Sequence, residues 1–239
     1  MTGMRGDIVT SGETLPRASG RGEAGVTGVV VIAHGGKSVS TEPTMALQPA
    51  VIRMIPVARA IAQALRGSGA MVFRPRFVLR GWNGEQASPV HDFSRILTDV
   101  GDRFGPVPIV LVGHSMGARA ALRAAGHPAV VAVAGLAPWL PPGEPVAQLA
   151  GRWILLAHGT ADRVTGPADT WAFAERAGSV TDVTSIEIRD GEHAMLRRAR
   201  LWHSVAAEFT RSALRLPVSP GDMHGVLSRT TQAAHRTVL

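Results

Sequence analysis

The sequence predicts an α/β protein with a mostly parallel sheet of about six to eight strands and helices on both faces. Short apolar, β-branched runs alternate along the chain with longer amphipathic or alanine-rich segments. This alternation is typical of parallel sheets built from strand–helix–strand units. The chain has 239 residues, of which 45% are hydrophobic, which is enough for one domain with a sizeable buried core.

Six apolar runs are predicted strands, and five segments between and after them are predicted helices. The strands are Val26–Ala33, Ala70–Leu79, Val107–Val112, Ala129–Leu136, Trp153–Ala157 and Val183–Ile188. The helices lie at about Ala50–Arg66, His91–Phe104, Met116–Ala125, Pro167–Ala177 and Leu196–Leu214. Pro56 should kink or delay the first helix, because proline has no backbone N–H.

The central domain is expected to span residues 26–214. Residues 1–25 are polar and glycine-rich and are predicted to form a flexible arm or a short hairpin around Asp7–Leu15. Residues 215–239 are predicted to be a loosely ordered tail. No signal peptide is recognisable, and no apolar run approaches the roughly 20 residues of a membrane helix. The default expectation is therefore a cytoplasmic protein without a membrane span.

Composition and charge exclude several classes of function. The chain has no cysteine, which excludes disulfides, zinc–thiolate sites and thiol catalysis. Its net charge of +7 comes mainly from residues 197–239, which hold seven basic and two acidic residues. No basic cluster is interleaved with aromatic residues, so we expect a solvated basic helix face and no nucleic-acid partner.

A G-x-S-x-G motif occupies Gly113–Gly117, between a predicted buried strand and a predicted alanine-rich helix. A nucleophile elbow needs a serine in a strained turn between two such elements, with flanking glycines that allow close packing. Ser115 is therefore the candidate nucleophile. The position of the motif disfavours the alternative, a glycine-rich turn that contains a serine by chance.

The loop after the first predicted strand begins His34-Gly35-Gly36-Lys37. Glycines there let the backbone approach a substrate and present an N–H group to a developing oxyanion. We expect one oxyanion donor from the N–H of Met116, which follows the nucleophile, and a second from Gly36, with Lys37 as the alternative. His34 is expected to be a buried histidine that stabilises the loop.

An acid and a histidine follow the last two predicted strands. Asp162 can orient a histidine and stabilise its protonated form, and His193 can reach across the strand ends to Ser115. The alternatives are an Asp162 that only caps a helix or pairs with Arg163, and a His193 on an ordinary surface loop. No metal-ligand spacing recurs around these residues, so no metal site is predicted.

Together, the glycine-rich loop, the elbow, Asp162 and His193 resemble the α/β-hydrolase superfamily over roughly residues 26–214. The resemblance implies a Ser115–His193–Asp162 triad, hydrolysis of an ester, thioester or amide, and no cofactor. Two features depart from many members: the N-terminus is short, and only fifteen residues separate Leu136 from Arg152, too few for a helical lid. The chain is similar to the compact, lidless dienelactone-hydrolase-like branch without a cap domain. The nucleophile of dienelactone hydrolase is a cysteine, whereas this chain has Ser115.

The resulting hypothesis is a serine hydrolase (carboxylesterase-like) that cleaves a small or medium, largely neutral carboxylic ester. Thioesterase, acyltransferase, lactonase, peptidase, perhydrolase and lyase chemistry on the same residues stay open, as does a ligand-binding protein on a hydrolase scaffold. A small-molecule ester or acyl substrate is the expected partner, and the oligomeric state is open. The candidate substrate-binding residues are Gly35, Lys37, Trp82, Trp139 and Met195.

Overall fold

The structure, a computed structural model, describes residues 8–9, 25–215 and 237–239. Its strands form one sheet in the order β1-β3-β2-β4-β5-β6-β7-β8, and every neighbouring pair is parallel. The strands are β1 (Ile8–Val9), β2 (Val29–Ala33), β3 (Met71–Phe73), β4 (Ile109–His114), β5 (Val130–Leu136), β6 (Trp153–Gly159), β7 (Val183–Ile188) and β8 (Thr237–Val238). The predicted sheet is therefore confirmed.

Helices cover both faces of the sheet. They are α1 (Pro49–Ile52), α2 (Met54–Ala64), α3 (Ser88–Phe104), α4 (Met116–Ala124), α5 (Pro167–Gly178) and α6 (Ala199–Ala213). Side chains of α2 and α6 share one apolar cluster with Val30 and Ile32 of β2. Side chains of α3, α4 and α5 share the other cluster with Val29 and Val31. Alternate residues of a strand thus pack on opposite layers, as the pleat requires.

The predicted strand Ala70–Leu79 is wrong beyond Phe73, where β3 ends. Pro75 has no N–H to donate, and the next N–H groups donate to side chains instead of to a neighbouring strand. The N–H of Phe77 donates to His34 Nε2, and that of Val78 donates to Asp92 Oδ2. The segment after β3 is consequently a loop whose backbone N–H groups bind the side chains of His34 and Asp92.

All five predicted helices shift by one to three residues at one or both ends, α3 for example beginning at Ser88 instead of His91. The first is divided at Arg53 into α1 and α2, and Pro56 lies in the first turn of α2, where its missing N–H costs nothing. The last begins at Ala199 instead of Leu196, because Met195 and Arg198 have positive φ angles of 54° and 56°. That irregular backbone is part of the loop that carries His193.

Both ends of the chain contribute an edge strand. Ile8–Val9 pairs in parallel with β3, and Thr237–Val238 pairs in parallel with β7. The rest of the expected arm or hairpin, residues 1–7 and 10–24, lies outside the described residues, as do residues 216–236 of the expected tail. In the described part of the chain, no helix has the length and apolar character needed to cross a membrane.

The connection from β5 to β6 leaves the carboxyl edge of the sheet without a cap domain. Its residues 137–152 are all described, and their regular structure is one 3₁₀ turn at Ala147–Leu149. A helical lid would need a much longer insertion at this point. The expected absence of a cap agrees with this short connection.

Two helical glycines should respond oppositely to substitution by alanine. A Cβ at Gly117 would lie 2.4 Å from the carbonyl oxygen of His34, so Gly117→Ala should lower the free energy of unfolding by about 1–3 kcal/mol. A Cβ at Gly101 of α3 meets no atom within 4 Å, so Gly101→Ala should raise it by about 0.5–1 kcal/mol. Urea unfolding of both variants measures the difference; equal effects would contradict the close approach of α4 to β2.

Candidate active site

Three predicted site residues meet at the carboxyl edge of the sheet. Ser115 follows β4, Asp162 follows β6, and His193 follows β7. His193 Nε2 lies 3.0 Å from Ser115 Oγ, and His193 Nδ1 lies 2.8 Å from Asp162 Oδ2. The imidazole therefore connects the hydroxyl to the carboxylate, although 78 residues separate His193 from Ser115 in the sequence.

Ser115 occupies a sharp turn between β4 and α4. Its φ of 54° and ψ of −119° lie in a region that most residues avoid. The turn stays tied to the sheet, since the Ser115 N–H donates to Leu136 at 3.1 Å. A Cβ at Gly113 would lie 2.4 Å from the carbonyl oxygen of Gly117. Glycine is thus required here, as the elbow interpretation expects.

Asp162 uses its two oxygens for different purposes. Oδ1 accepts the backbone N–H groups of Val164 and Thr165, at 2.8 and 3.0 Å, and so fixes the turn. Oδ2 faces His193 and also His158, whose Nε2 is 3.0 Å away. Burial raises the pKa of the Asp162 carboxyl, but the hydrogen bonds from the histidines and the backbone outweigh burial and hold the pKa well below its usual range. The carboxylate is therefore ionised at neutral pH.

A second histidine holds the His193 loop. His114 is the residue before Ser115, and its Nε2 lies 2.8 Å from the carbonyl oxygen of His193. Because a carbonyl only accepts hydrogen bonds, Nε2 carries the hydrogen. Burial above all, and then the neighbouring His193, lower the pKa of His114 to about 3. His114 is consequently neutral at working pH and ties the β7 loop to the elbow.

The loop after β2 lies against the elbow, but its two candidate oxyanion donors differ. The Lys37 N–H donates to the Arg80 carbonyl at 2.8 Å and is engaged. Among the described residues, no acceptor is found for the N–H of Gly36 or for that of Met116. A Cβ at Gly36 would lie 2.3 Å from Met116 Cε, so these two residues are in direct contact. This geometry favours Gly36 over Lys37.

His34 has the structural role that its sequence position suggested. It is buried, with Nδ1 at 2.7 Å from the Gly35 carbonyl and Nε2 accepting the Phe77 N–H at 3.1 Å. Burial lowers the pKa of His34 to about 4. The neutral ring thus joins the glycine-rich loop to the segment after β3.

The expected substrate-binding residues lie in different environments. Trp82 and Met195 are core residues with only 3% and 2% of their surface exposed. Trp139 is half-buried, and its backbone N–H donates to the Ser115 carbonyl. Gly35 is buried against Ser115. Lys37 is exposed. Trp139 is therefore the partly exposed tryptophan next to the elbow backbone, whereas Trp82 and Met195 lie in the core.

An arginine holds the two tryptophans together. The guanidinium of Arg119 lies 3.8 Å from the ring centroid of Trp82 and 4.5 Å from that of Trp139. Arg119 also forms an ion pair with Glu144, which is buried. Cation–π contacts of this kind favour a fixed arrangement of the rings. The two rings are therefore joined through one cation that is paired with a buried carboxylate.

Sequence reasoning missed two residues that contact the Asp162–His193 pair and a third that contacts one of them. These are His158 of β6, Thr165 and, behind His158, Thr170 of α5. The available signal was a histidine at the end of an otherwise apolar strand, four residues before Asp162. The described residues hold no group of three histidine, aspartate or glutamate side chains suited to a metal ion.

The family model of the alpha/beta hydrolases matches residues 30–236. The chain belongs to the alpha/beta hydrolase family. The resemblance expected from the sequence is thereby confirmed, and no curated protein matches the chain.

Solved structures share this fold at low sequence identity. A serine hydrolase without a lid from Xanthomonas campestris is 21% identical, covers 87% of this chain and 88% of its own, and has a TM-score of 0.53. Est1E from Butyrivibrio proteoclasticus is 14% identical, covers 80% of this chain and 90% of its own, and has a TM-score of 0.57. The esterase domain of a Rhodothermus marinus protein is 17% identical, covers 80% of this chain and 88% of its own, and has a TM-score of 0.57. These likenesses establish the fold alone.

Proposed function

We propose that this alpha/beta hydrolase is a serine esterase that cleaves a carboxylic ester through an acyl-enzyme intermediate. The observation that carries the proposal is the continuous contact from Ser115 Oγ through His193 to Asp162, at 3.0 and 2.8 Å. A serine hydroxyl is a weak nucleophile unless a base within hydrogen-bond reach takes its proton. The elbow, the histidine loop and the acid turn together supply that arrangement.

The reaction begins when Ser115 Oγ attacks the ester carbonyl and its proton passes to His193 Nε2. Asp162 holds the imidazole through Nδ1 and stabilises its protonated form. The electron pair displaced from the carbonyl resides on the oxyanion, which accepts the N–H groups of Met116 and Gly36. Collapse expels the alcohol, which takes the proton from His193. Water then attacks the acyl-enzyme by the same route and releases the acid.

The proposed substrate is a small or medium, largely neutral carboxylic ester. The short β5–β6 connection supports an open site, and the half-buried Trp139 supports an apolar wall beside Ser115. One neighbour of similar fold is named as an esterase domain, and another, Est1E, has been solved with ferulic acid bound. A substrate panel should therefore contain short acyl esters, a hydroxycinnamate ester, and matched thioesters, lactones and amides.

The proposal is tested by fluorophosphonate labelling followed by the ester panel. The wild-type protein should be labelled at one serine and should hydrolyse at least one ester. His193→Ala should lose both the labelling and the hydrolysis, because the general base is gone. His91→Ala, at an exposed histidine of α3, is the matched control and should behave as wild type. Folded wild-type protein without labelling would refute an activated serine.

Ester hydrolysis should be slower in acid than at neutral pH. His193 can accept the Ser115 proton only when the imidazole is neutral, so acid removes the base. The carboxylate of Asp162 does not limit activity over this change in pH, because hydrogen bonds hold its pKa well below the usual value. Initial rates measured with a neutral ester, at pH values where the protein stays folded, check the profile. A flat profile would contradict the role of His193.

A further inference from the structure

A fully buried histidine lies behind the acid of the proposed triad. His158 has 0% of its surface exposed, yet both of its ring nitrogens have side-chain partners. Nε2 lies 3.0 Å from Asp162 Oδ2, and Nδ1 lies 2.7 Å from Thr170 Oγ1. Asp162 Oδ2 is thus placed between two imidazoles, since His193 Nδ1 approaches the same oxygen at 2.8 Å.

The partners determine which nitrogen of His158 carries the hydrogen. An ionised carboxylate only accepts hydrogen bonds, so His158 Nε2 must donate to Asp162. The Thr170 hydroxyl can both donate and accept, so it can satisfy Nδ1 and hold the His158 ring in place. A buried donor therefore points at the acid.

This donor acts on the same oxygen that orients the proposed base. A hydrogen bond to the charged form of a carboxyl favours ionisation, and His158 supplies one of the bonds that keep the pKa of Asp162 low despite burial. It also restricts where Oδ2 can lie, because the backbone N–H groups of Val164 and Thr165 already hold Oδ1. The carboxylate is consequently fixed at both oxygens.

We infer that His158 is a positioning residue that directs Asp162 Oδ2 at His193 and disperses the charge of the carboxylate. The inference rests on the proposed function, because it assigns a role within the same Ser115–His193–Asp162 set. His158 does not reach Ser115 itself; it acts through Asp162. Thr170 in turn supports His158, since its hydroxyl contacts Nδ1 and limits rotation of the ring.

Two amide substitutions separate this role from simple packing. His158→Gln places an amide N–H near the position of Nε2, so it can still donate to Asp162. His158→Asn reaches only the position of Nδ1, so it keeps the contact with Thr170 and loses the one with Asp162. Both variants bury a neutral amide in place of the ring. His91→Gln, at an exposed histidine, is the matched control.

Fluorophosphonate labelling rates as a function of pH give the first readout. For His158→Asn, a carboxylate whose Oδ2 keeps only the Thr165 hydroxyl and His193 as partners should be less well placed and should slow labelling by about 10- to 100-fold. Its acid limb should move to higher pH, because a carboxylate with one donor fewer interacts more strongly with protonated His193. His158→Gln and His91→Gln should stay near the wild-type rate and profile. Equal losses in the Gln and Asn variants, or no change of profile in His158→Asn, would overturn the inference.

A proton resonance provides the second readout, which does not depend on turnover. The low-field signal of His193 Nδ1–H, assigned by its loss in His193→Ala, should move in His158→Asn and stay in place in His158→Gln. An unmoved signal in His158→Asn would overturn the inference even if the variant were less stable. If the wild-type protein is not labelled at all, the proposed function fails, while this signal still decides whether His158 acts on Asp162.

Discussion

Ser115→Ala should reduce ester hydrolysis by about 10⁴- to 10⁶-fold and abolish fluorophosphonate labelling. The reason is that no other group in the site can form the acyl-enzyme: His193 and Asp162 remain in place but lose the hydroxyl on which they act. The variant should keep its fold, because removing one hydroxyl leaves the elbow backbone and its bond to Leu136 intact. Mass spectrometry of labelled wild-type protein should place the adduct on Ser115.

Ser204→Ala is the matched control for this experiment. Ser204 is an exposed serine of α6, and its loss should change neither labelling nor turnover. Ser115→Ala protein that still hydrolyses the ester at a wild-type rate would mean that Ser115 is not the nucleophile. Substrate binding measured with Ser115→Ala should remain detectable, since the Gly36 and Met116 N–H groups and Trp139 are unchanged.

The sequence predicted the elements that periodicity defines well. Buried parallel strands appear as continuous apolar runs, and glycines, acids and histidines after such runs must gather at one edge of the sheet. Ser115, Asp162 and His193 could therefore be found before any coordinates were available. The choice of Gly36 over Lys37 could not, because it depends on where the Lys37 N–H points, and only the tertiary structure shows that it donates to Arg80.

The failures have equally local causes. The segment after Phe73 ends in three apolar residues, but Pro75 interrupts it, and the N–H groups of Phe77 and Val78 bind the side chains of His34 and Asp92. Trp82 looked like a pocket wall because it follows that segment, yet Arg119 holds it in the core. Long-range partners of single side chains are invisible to periodicity. The role of His158 was missed for the same reason.

Stability should fall steeply as the pH decreases from about 6.5 to 4. An unfolded histidine takes up a proton near pH 6.5, whereas burial lowers the pKa of His34 to about 4 and that of His114 to about 3 in the folded protein. Between these values the unfolded state binds more protons, so acid favours unfolding. Each histidine should contribute a slope of roughly 1.4 kcal/mol per pH unit. The lowered pKa of Asp162 adds its own loss only below about pH 4, where an unfolded aspartate takes up its proton.

The surrounding charges do not reverse this expectation. Arg74 and Arg76 lower the pKa of His34 further, while Asp92 and the Gly35 carbonyl raise it, and burial exceeds each of them. The environment of His114 behaves similarly, because the charge of Asp162 and the bond to the His193 carbonyl only partly offset its burial. Both rings should therefore stay neutral until the protein unfolds.

Urea unfolding between pH 7 and 4.5 measures the slope directly. His34→Gln and His114→Gln should each flatten it by about 1.4 kcal/mol per pH unit, since glutamine does not titrate, even where the variant is less stable at pH 7. His91→Gln, at an exposed position, should leave the slope unchanged. If the wild-type free energy of unfolding is constant from pH 6.5 to 4.5, then these histidines are not buried as neutral groups. The bonds from His34 to the glycine-rich loop and from His114 to the His193 loop would then need another explanation.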